Sequence, residues 1–300
     1  MSELRSISRI SNRRSLTALV LCILIIIVVF IGVVIKLTAP ITATDPDEGM
    51  RAFRYFTVLS NIVMGFCAAM CIPFAIDGRR YGNYHLPRWA VYTLYTGVTG
   101  VAVTFVTAVC FLGPVGGYDW IMFRRANLYL HTISPILSLI LFLFVNDDHT
   151  IRFPWSLVSI LPMHVYGKVY YVEVFSIGAA AGGWRDHYRF GEYLEPYQAA
   201  LAFLALGLIV SNVIRVIHNL RHKARKKLFE RYYTESELFA CEDVLEAVRV
   251  LASIDRESDR DGELIVPRRA IRVLKQRYDS SLSIRDLCKA YCDCYLEKEQ

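Results

Sequence analysis

The chain has 300 residues, 54% of them hydrophobic and 21% charged, with eight cysteines and a formal net charge of +6. Its mean hydropathy of +0.34 and the segregation of its charge exclude a single soluble globular domain. Long apolar runs fill residues 15–218, whereas 219–300 read like a soluble segment.

A hydrocarbon core of about 30 Å is crossed by about 20 consecutive apolar residues in a helix. Six stretches qualify, at 15–36, 55–76, 89–112, 128–146, 154–173 and 197–218. Backbone in lipid must satisfy its own hydrogen bonds, so each is predicted to be helical. The expected fold is an all-α membrane protein: a cytoplasmic N-terminus (1–14), a six-transmembrane helical bundle (15–218) and a cytoplasmic helical tail (219–300). Orientation follows from basic residues at Arg5, Arg9, Arg13 and Arg14, at Arg79, Arg80 and Arg88, and from Arg221 to Arg231. The positive-inside rule places all three groups, and so both termini, on the cytoplasmic side of the cell membrane. The first run is too long for the h-region of a signal peptide, about 7–15 residues, and is read as an anchor.

The predicted second helix opens Arg54-Tyr55-Phe56-Thr57, with Ser60 and Asn61 following. Arg54, Thr57 and Asn61 fall on one stripe at i, i+3 and i+7, beside Ser60. The fourth opens Asn127-Leu128-Tyr129-Leu130-His131-Thr132-Ile133-Ser134-Pro135, putting Asn127, His131, Ser134 and Ser138 on one face. Asn127, one turn before His131, is placed to bond the imidazole. The fifth carries His164 and Lys168 at i and i+4, with Pro162 as a kink. Polar groups in such helices are costly and face the bundle interior or a water-filled cavity. At about 1.5 Å per residue, Thr57 lies about 3 Å and His131 about 4.5 Å below the outer ends of their helices, and Lys168 about 6 Å below its own. A hydroxyl, an imidazole and an ammonium are thus expected at similar depth near the outer leaflet. Each also has a plain structural reading: a threonine bonded to its own helix, a histidine joining two helices, a lysine snorkelling to the interface.

The connection 174–196, rich in Gly and aromatic residues, is placed to cap the outer face. In the tail, Thr234-x-x-Glu237 reads as a capping box before an apolar-periodic run from Leu238 to Leu251. Residues 259–263 read as a loop, Pro267 as a first-turn proline, and Ser283 as the cap of a last helix. The basic run 218–227 serves the topology and also suits anionic lipid headgroups, while nucleic acid is not an expected partner. Cys288, Cys292 and Cys294 match no common zinc spacing, so no metal or other cofactor is expected.

Arg54-Tyr55-Phe56-Thr57 with Asn61, and Asn127-x-x-x-His131-Thr132-x-x-Pro135, resemble the motifs of the androgen-induced gene family of multipass threonine hydrolases and its bacterial six-span relatives. The resemblance covers roughly residues 50–200. It departs at Leu128, where animal members carry a second histidine. It implies hydrolysis of fatty acid esters of hydroxy fatty acids, with Thr57 and His131 as the catalytic pair. Ser60, Asn61, Asn127, Ser134, His164 and Lys168 would be supporting or substrate-binding residues, with Asn61, Ser60 or Lys168 meeting the oxyanion. Two non-enzymatic readings stand beside it: a transporter lined by the intramembrane His and Lys, and a sensor or scaffold whose tail recruits a protein partner. A haem-binding reading would need His131 and His164 at matched depth, and they differ by roughly 7 Å.

Overall fold

The computed structural model describes residues 2–40, 49–80, 84–146, 149–234, 241–258, 266 and 268–296. Among these no strand occurs. Helix α1 spans Ser2–Thr38, α2 Phe56–Arg80 and α3 Arg88–Gly116, whose last turns widen from Ala108 to Leu112. Helix α4 spans Leu128–Val145, and a long α7 spans Pro196–Thr234. Among the described residues, five helical segments are long and apolar enough to cross a membrane: Arg13–Thr38, Phe56–Arg79, Arg88–Gly116, Leu128–Val145 and Pro196–Ala224. The remaining apolar stretch is divided into α5, Pro154–Ser159, and α6, Leu161–Tyr171, which runs on as a wide turn over Val172–Ile177. The break at Ile160 lies just before Pro162. A proline there has no N–H to carry the helical ladder through from α5.

The contacts divide the chain into two compact units. The first comprises residues 21–70 and 87–222. Here α3 packs against the middle of α4 and against α5. A Cβ on Gly32 of α1 would meet the Leu130 side chain of α4 at 2.6 Å, so that side chain packs into the space the glycine leaves.

The serines of the 154–173 stretch have a structural use. Tyr95 of α3 bonds Ser211 of α7, with its hydroxyl 2.8 Å from the carbonyl and 2.6 Å from Oγ, and lies 3.2 Å from Ser156 Oγ. Ser159 Oγ is 2.9 Å from Ser211 Oγ. All four side chains are buried, so this seam joins three helices by hydrogen bonds where the apolar effect supplies no drive. Tyr95→Phe should strip the seam of its shared hydroxyl and destabilise the protein by about 1–3 kcal/mol, read as a lower Tm in detergent.

The second unit comprises residues 1–20, 71–86 and 223–300. The described residues of its tail portion include the amphipathic helices α8 (Val244–Ser258), α9 (Arg268–Arg277) and α10 (Ile284–Leu296). They close over a core that includes Val248, Leu251, Ile271, Leu274, Leu287 and Tyr291. Ser283 caps α10, its Oγ accepting the Asp286 amide at 3.1 Å. The cap seen on α8 is Asp243, which accepts the Glu246 amide at 2.7 Å, while the Glu246 carboxylate accepts the Glu242 amide at 2.6 Å. Glu237, Pro267 and the loop 259–263 lie outside the described residues. Cys288 lies in the tail core, and burial pushes its thiol up from the ordinary cysteine range. In the basic run 218–227, His218 does not face outward: it is buried in the first unit, with Nε2 2.8 Å from the His149 carbonyl.

Candidate functional site

The start of α2 meets the start of α4. Thr57, in the first turn of α2, has its Oγ1 3.2 Å from Nε2 of His131. The other ring nitrogen, Nδ1, is 2.6 Å from the Ile121 carbonyl oxygen. A carbonyl can only accept, so Nδ1 carries the proton of the neutral ring and Nε2 turns its lone pair to the threonine hydroxyl. A hydroxyl, a base aimed at it and a group that holds the base form the general arrangement of an activated nucleophile.

Thr57 is free for this role because of where its helix begins. Thr17, Thr38, Thr93, Thr96 and Thr104 each donate to the carbonyl four residues back, at 2.7, 2.8, 2.9, 3.1 and 3.1 Å. For Thr57 that residue is Phe53, in the 3-10 turn Gly49–Arg54 that precedes α2. The usual helical back-bond is therefore replaced by the bond to His131.

His131 sits on a wide turn, Leu128–Ile133, at the head of α4. Pro135 has no N–H to return to the His131 carbonyl, and the backbone ahead of it opens to the π spacing. Three side chains of this region bond three consecutive carbonyls of the short turn Asp119–Phe123: Asn127 Nδ2 to Trp120 at 2.9 Å, His131 to Ile121, and Thr132 Oγ1 to Met122 at 2.8 Å. The expected bond from Asn127 to the imidazole is thus corrected. The Ile121 carbonyl orients the ring, and Asn127 braces the turn that supplies this carbonyl.

Asn61 is buried and gives both amide hydrogens to backbone, 2.8 Å to the Thr57 carbonyl and 3.0 Å to Leu130. It ties α2 to α4 beside the pair and has no hydrogen left for an oxyanion, against expectation. Ser60 Oγ lies 3.2 Å from both the Thr57 carbonyl and Thr104 Oγ1, bracing α2 on α3. Ser134 is buried, and it borders none of the cavities described here. His164 and Lys168 are exposed residues of α6 that line the wall of a large cavity, and neither bonds Thr57 or His131.

That cavity measures about 510 Å³, within the range of about 300–1,000 Å³ usual for small-molecule sites. Thr57 and His131 stand in its wall among Val103, Leu112, Phe203 and Leu204. A second apolar cavity of about 590 Å³ adjoins Phe56 and Tyr166 but reaches neither Thr57 nor His131.

Sequence reasoning missed Tyr188. Its hydroxyl oxygen accepts the Phe56 amide at 2.9 Å and also engages Thr57 and the Tyr166 hydroxyl. Burial raises its pKa above the ordinary phenol value, so it is neutral at physiological pH. The loop that carries it folds around Asp186, which accepts the Phe190 and Gly191 amides at 3.1 and 2.6 Å and the Tyr170 hydroxyl at 2.5 Å. Gly183 is required here, since a Cβ would lie 2.2 Å from the Glu173 carbonyl. The one sequence signal of this site was the aromatic run His187-Tyr188-x-Phe190 in a Gly-rich loop.

Fold and site together define a helical protein with helices of membrane-crossing length and a buried hydroxyl–imidazole pair on an apolar cavity. No protein-family model, curated protein or solved structure matches the chain.

Proposed function

We propose that this protein is an intramembrane lipid-ester hydrolase in which Thr57 is the nucleophile and His131 the general base. One observation carries the reading: the proton order Thr57 Oγ1–H to His131 Nε2, with Nδ1–H held by Ile121, in the wall of an apolar cavity. The resemblance of the motifs around these two residues to those of the androgen-induced gene family agrees with it.

The acyl chain lies in the large cavity with its ester carbonyl at Thr57. His131 takes the hydroxyl proton as Thr57 Oγ bonds the carbonyl carbon. The negative charge that collects on the carbonyl oxygen is met at the head of α2 by the Tyr188 hydroxyl, polarised by the Phe56 amide that it accepts, and by the positive end of the helix dipole. Collapse of this intermediate breaks the ester C–O bond, and the imidazolium gives its proton to the leaving alkoxide. Water then attacks the acyl-threonine, losing a proton to His131. Cleavage of the Thr57–acyl bond frees the fatty acid, and the proton returns to Thr57. In the membrane, α5 and α6 together form a sixth crossing, both termini face the cytoplasm, and the site opens toward the outer leaflet. The basic residues at the N-terminus, between α2 and α3, and after Arg221 support that orientation.

The test is labelling of the purified protein in nanodiscs with a fluorophosphonate probe, alongside release of fatty acid from acyl esters. Wild type should label and turn over, and Thr57→Ala should do neither while keeping its Tm. Thr57→Ser should retain both. Unchanged hydrolysis by Thr57→Ala would sink the proposal.

A further inference from the structure

The Thr57–His131 pair has a second side. Away from the apolar cavity, both residues also line a smaller cleft of about 160 Å³. Among the described residues, Lys36, Arg124, Arg125 and His187 contribute to its walls, and no carboxylate does.

Two of these side chains lie against aromatic rings. The Arg124 guanidinium stacks 3.7 Å from the centre of the Trp120 ring, and the Lys36 ammonium lies 5.1 Å from that of Tyr55. The ring face steadies the Arg124 guanidinium without neutralising it. Among the described residues, neither Arg124 nor Arg125 forms an ion pair with a carboxylate. Arg125 also holds its place in the left-handed region, with φ of 47°. Several cations converging on a small polar space beside a reactive pair form a receptor for an anion.

We infer that this cleft receives the alcohol part of the ester, and that this alcohol is short and carries an oxyanion, a phosphate or a carboxylate. The inference rests on the hydrolase reading above, because it takes the ester carbonyl to lie at Thr57. With the acyl chain in the 510 Å³ cavity, the alcohol side points across the pair into the cleft. At about 160 Å³ the cleft is smaller than the range of about 300–1,000 Å³ for ordinary ligand pockets. It suits a head of glycerol-phosphate or short hydroxy-acid size. Arg124 and Arg125 suit two oxygens of one anion through paired N–H donors.

The experiment compares palmitoyl esters that share one acyl chain and differ in the alcohol: glycerol, glycerol 3-phosphate, lactate and 12-hydroxystearate. The purified wild-type protein in nanodiscs of zwitterionic lipid should show kcat/KM at least about tenfold higher for the glycerol-phosphate or lactate ester than for the glycerol ester. That is the worth of one charge-assisted hydrogen bond. The phosphate and lactate arms tell the two anions apart. In Arg124→Ala/Arg125→Ala the ratio should fall toward one through a raised KM, and Arg124→Lys/Arg125→Lys should restore part of it. Turnover that depends on Thr57 but is equal for all four esters, or highest for the 12-hydroxystearate ester, overturns the anionic-alcohol inference and leaves the hydrolase standing. If no ester is turned over, the hydrolase reading fails first. Binding then decides the cleft: 1-O-hexadecylglycerol 3-phosphate should quench Trp120 fluorescence at a concentration about tenfold below neutral hexadecylglycerol, and equal quenching overturns it.

Discussion

Replacing His131 with alanine should lower kcat for ester hydrolysis by about 10²–10⁴-fold, the usual worth of a positioned general base, with little change in KM. A threonine hydroxyl is a poor nucleophile until its proton has somewhere to go, and Nε2 at 3.2 Å is the acceptor the fold provides. His131→Gln sharpens the test, because glutamine can hold a hydrogen bond to Thr57 but cannot take its proton. It should be about as slow as alanine. Behind the ring stands the Ile121 carbonyl rather than a carboxylate, so the imidazolium is met by a dipole and not by a full charge. The base is correspondingly more dependent on its geometry. Asn127→Leu loosens the turn that carries this carbonyl and should cost less than His131→Ala, again in kcat. A rise in KM with kcat unchanged in His131→Gln would instead make His131 a substrate-binding residue. Activity equal to wild type would end its candidacy as the base.

Much of this arrangement is legible in the amino-acid sequence. Apolar length marked the helices, because lipid-crossing segments carry an unusually strong signal. Depth arithmetic placed Thr57 and His131 at one level, and they lie within hydrogen-bond distance. The limits were physical. Helical spacing put Asn127 one α-turn from His131, but Pro135 opens the backbone there to a wider turn, and the two side chains reach adjacent carbonyls instead. Asn61 looked like a donor in waiting, and only the packed structure shows both hydrogens engaged. The stretch 154–173 has the composition of a single helix, yet it divides at Ile160, just before Pro162.

Loops were the least legible part, since no periodicity orders them. The segment 178–195 is fixed by a carboxylate and close backbone contacts rather than by a repeating apolar face. Its Asp186 knot carries Tyr188 to the head of α2. The cationic cleft has the same origin. Lys36 ends one helix, and Arg124 and Arg125 follow a short turn, so nothing in their spacing predicts that they line one space.

Tyr188→Phe should lower kcat by about 10²-fold, the lower end of what one oxyanion donor is worth, and leave KM nearly unchanged. The phenyl ring would keep its packing against Tyr170, His187 and Phe190, so the variant removes an oxygen and little else. That oxygen now accepts the Phe56 amide at 2.9 Å, beside Thr57 at the head of α2. The hydroxyl has one hydrogen of its own, and accepting from the amide makes that hydrogen a better donor. Because burial raises the phenol pKa, the hydrogen is retained above the ordinary value of about 10. Deprotonation of Tyr188 should therefore cause no loss of kcat as pH rises to about 10. The opposite result is equally readable. If the Tyr188 oxygen only occupies the oxyanion position in the resting protein, removing it frees the Phe56 amide and kcat rises. Tyr188 would then be a plug that substrate must displace, and the α2 amides alone would stabilise the transition state. Stopped-flow hydrolysis of one ester by wild type and Tyr188→Phe, from pH 6 to pH 10, separates the two by the sign of the change.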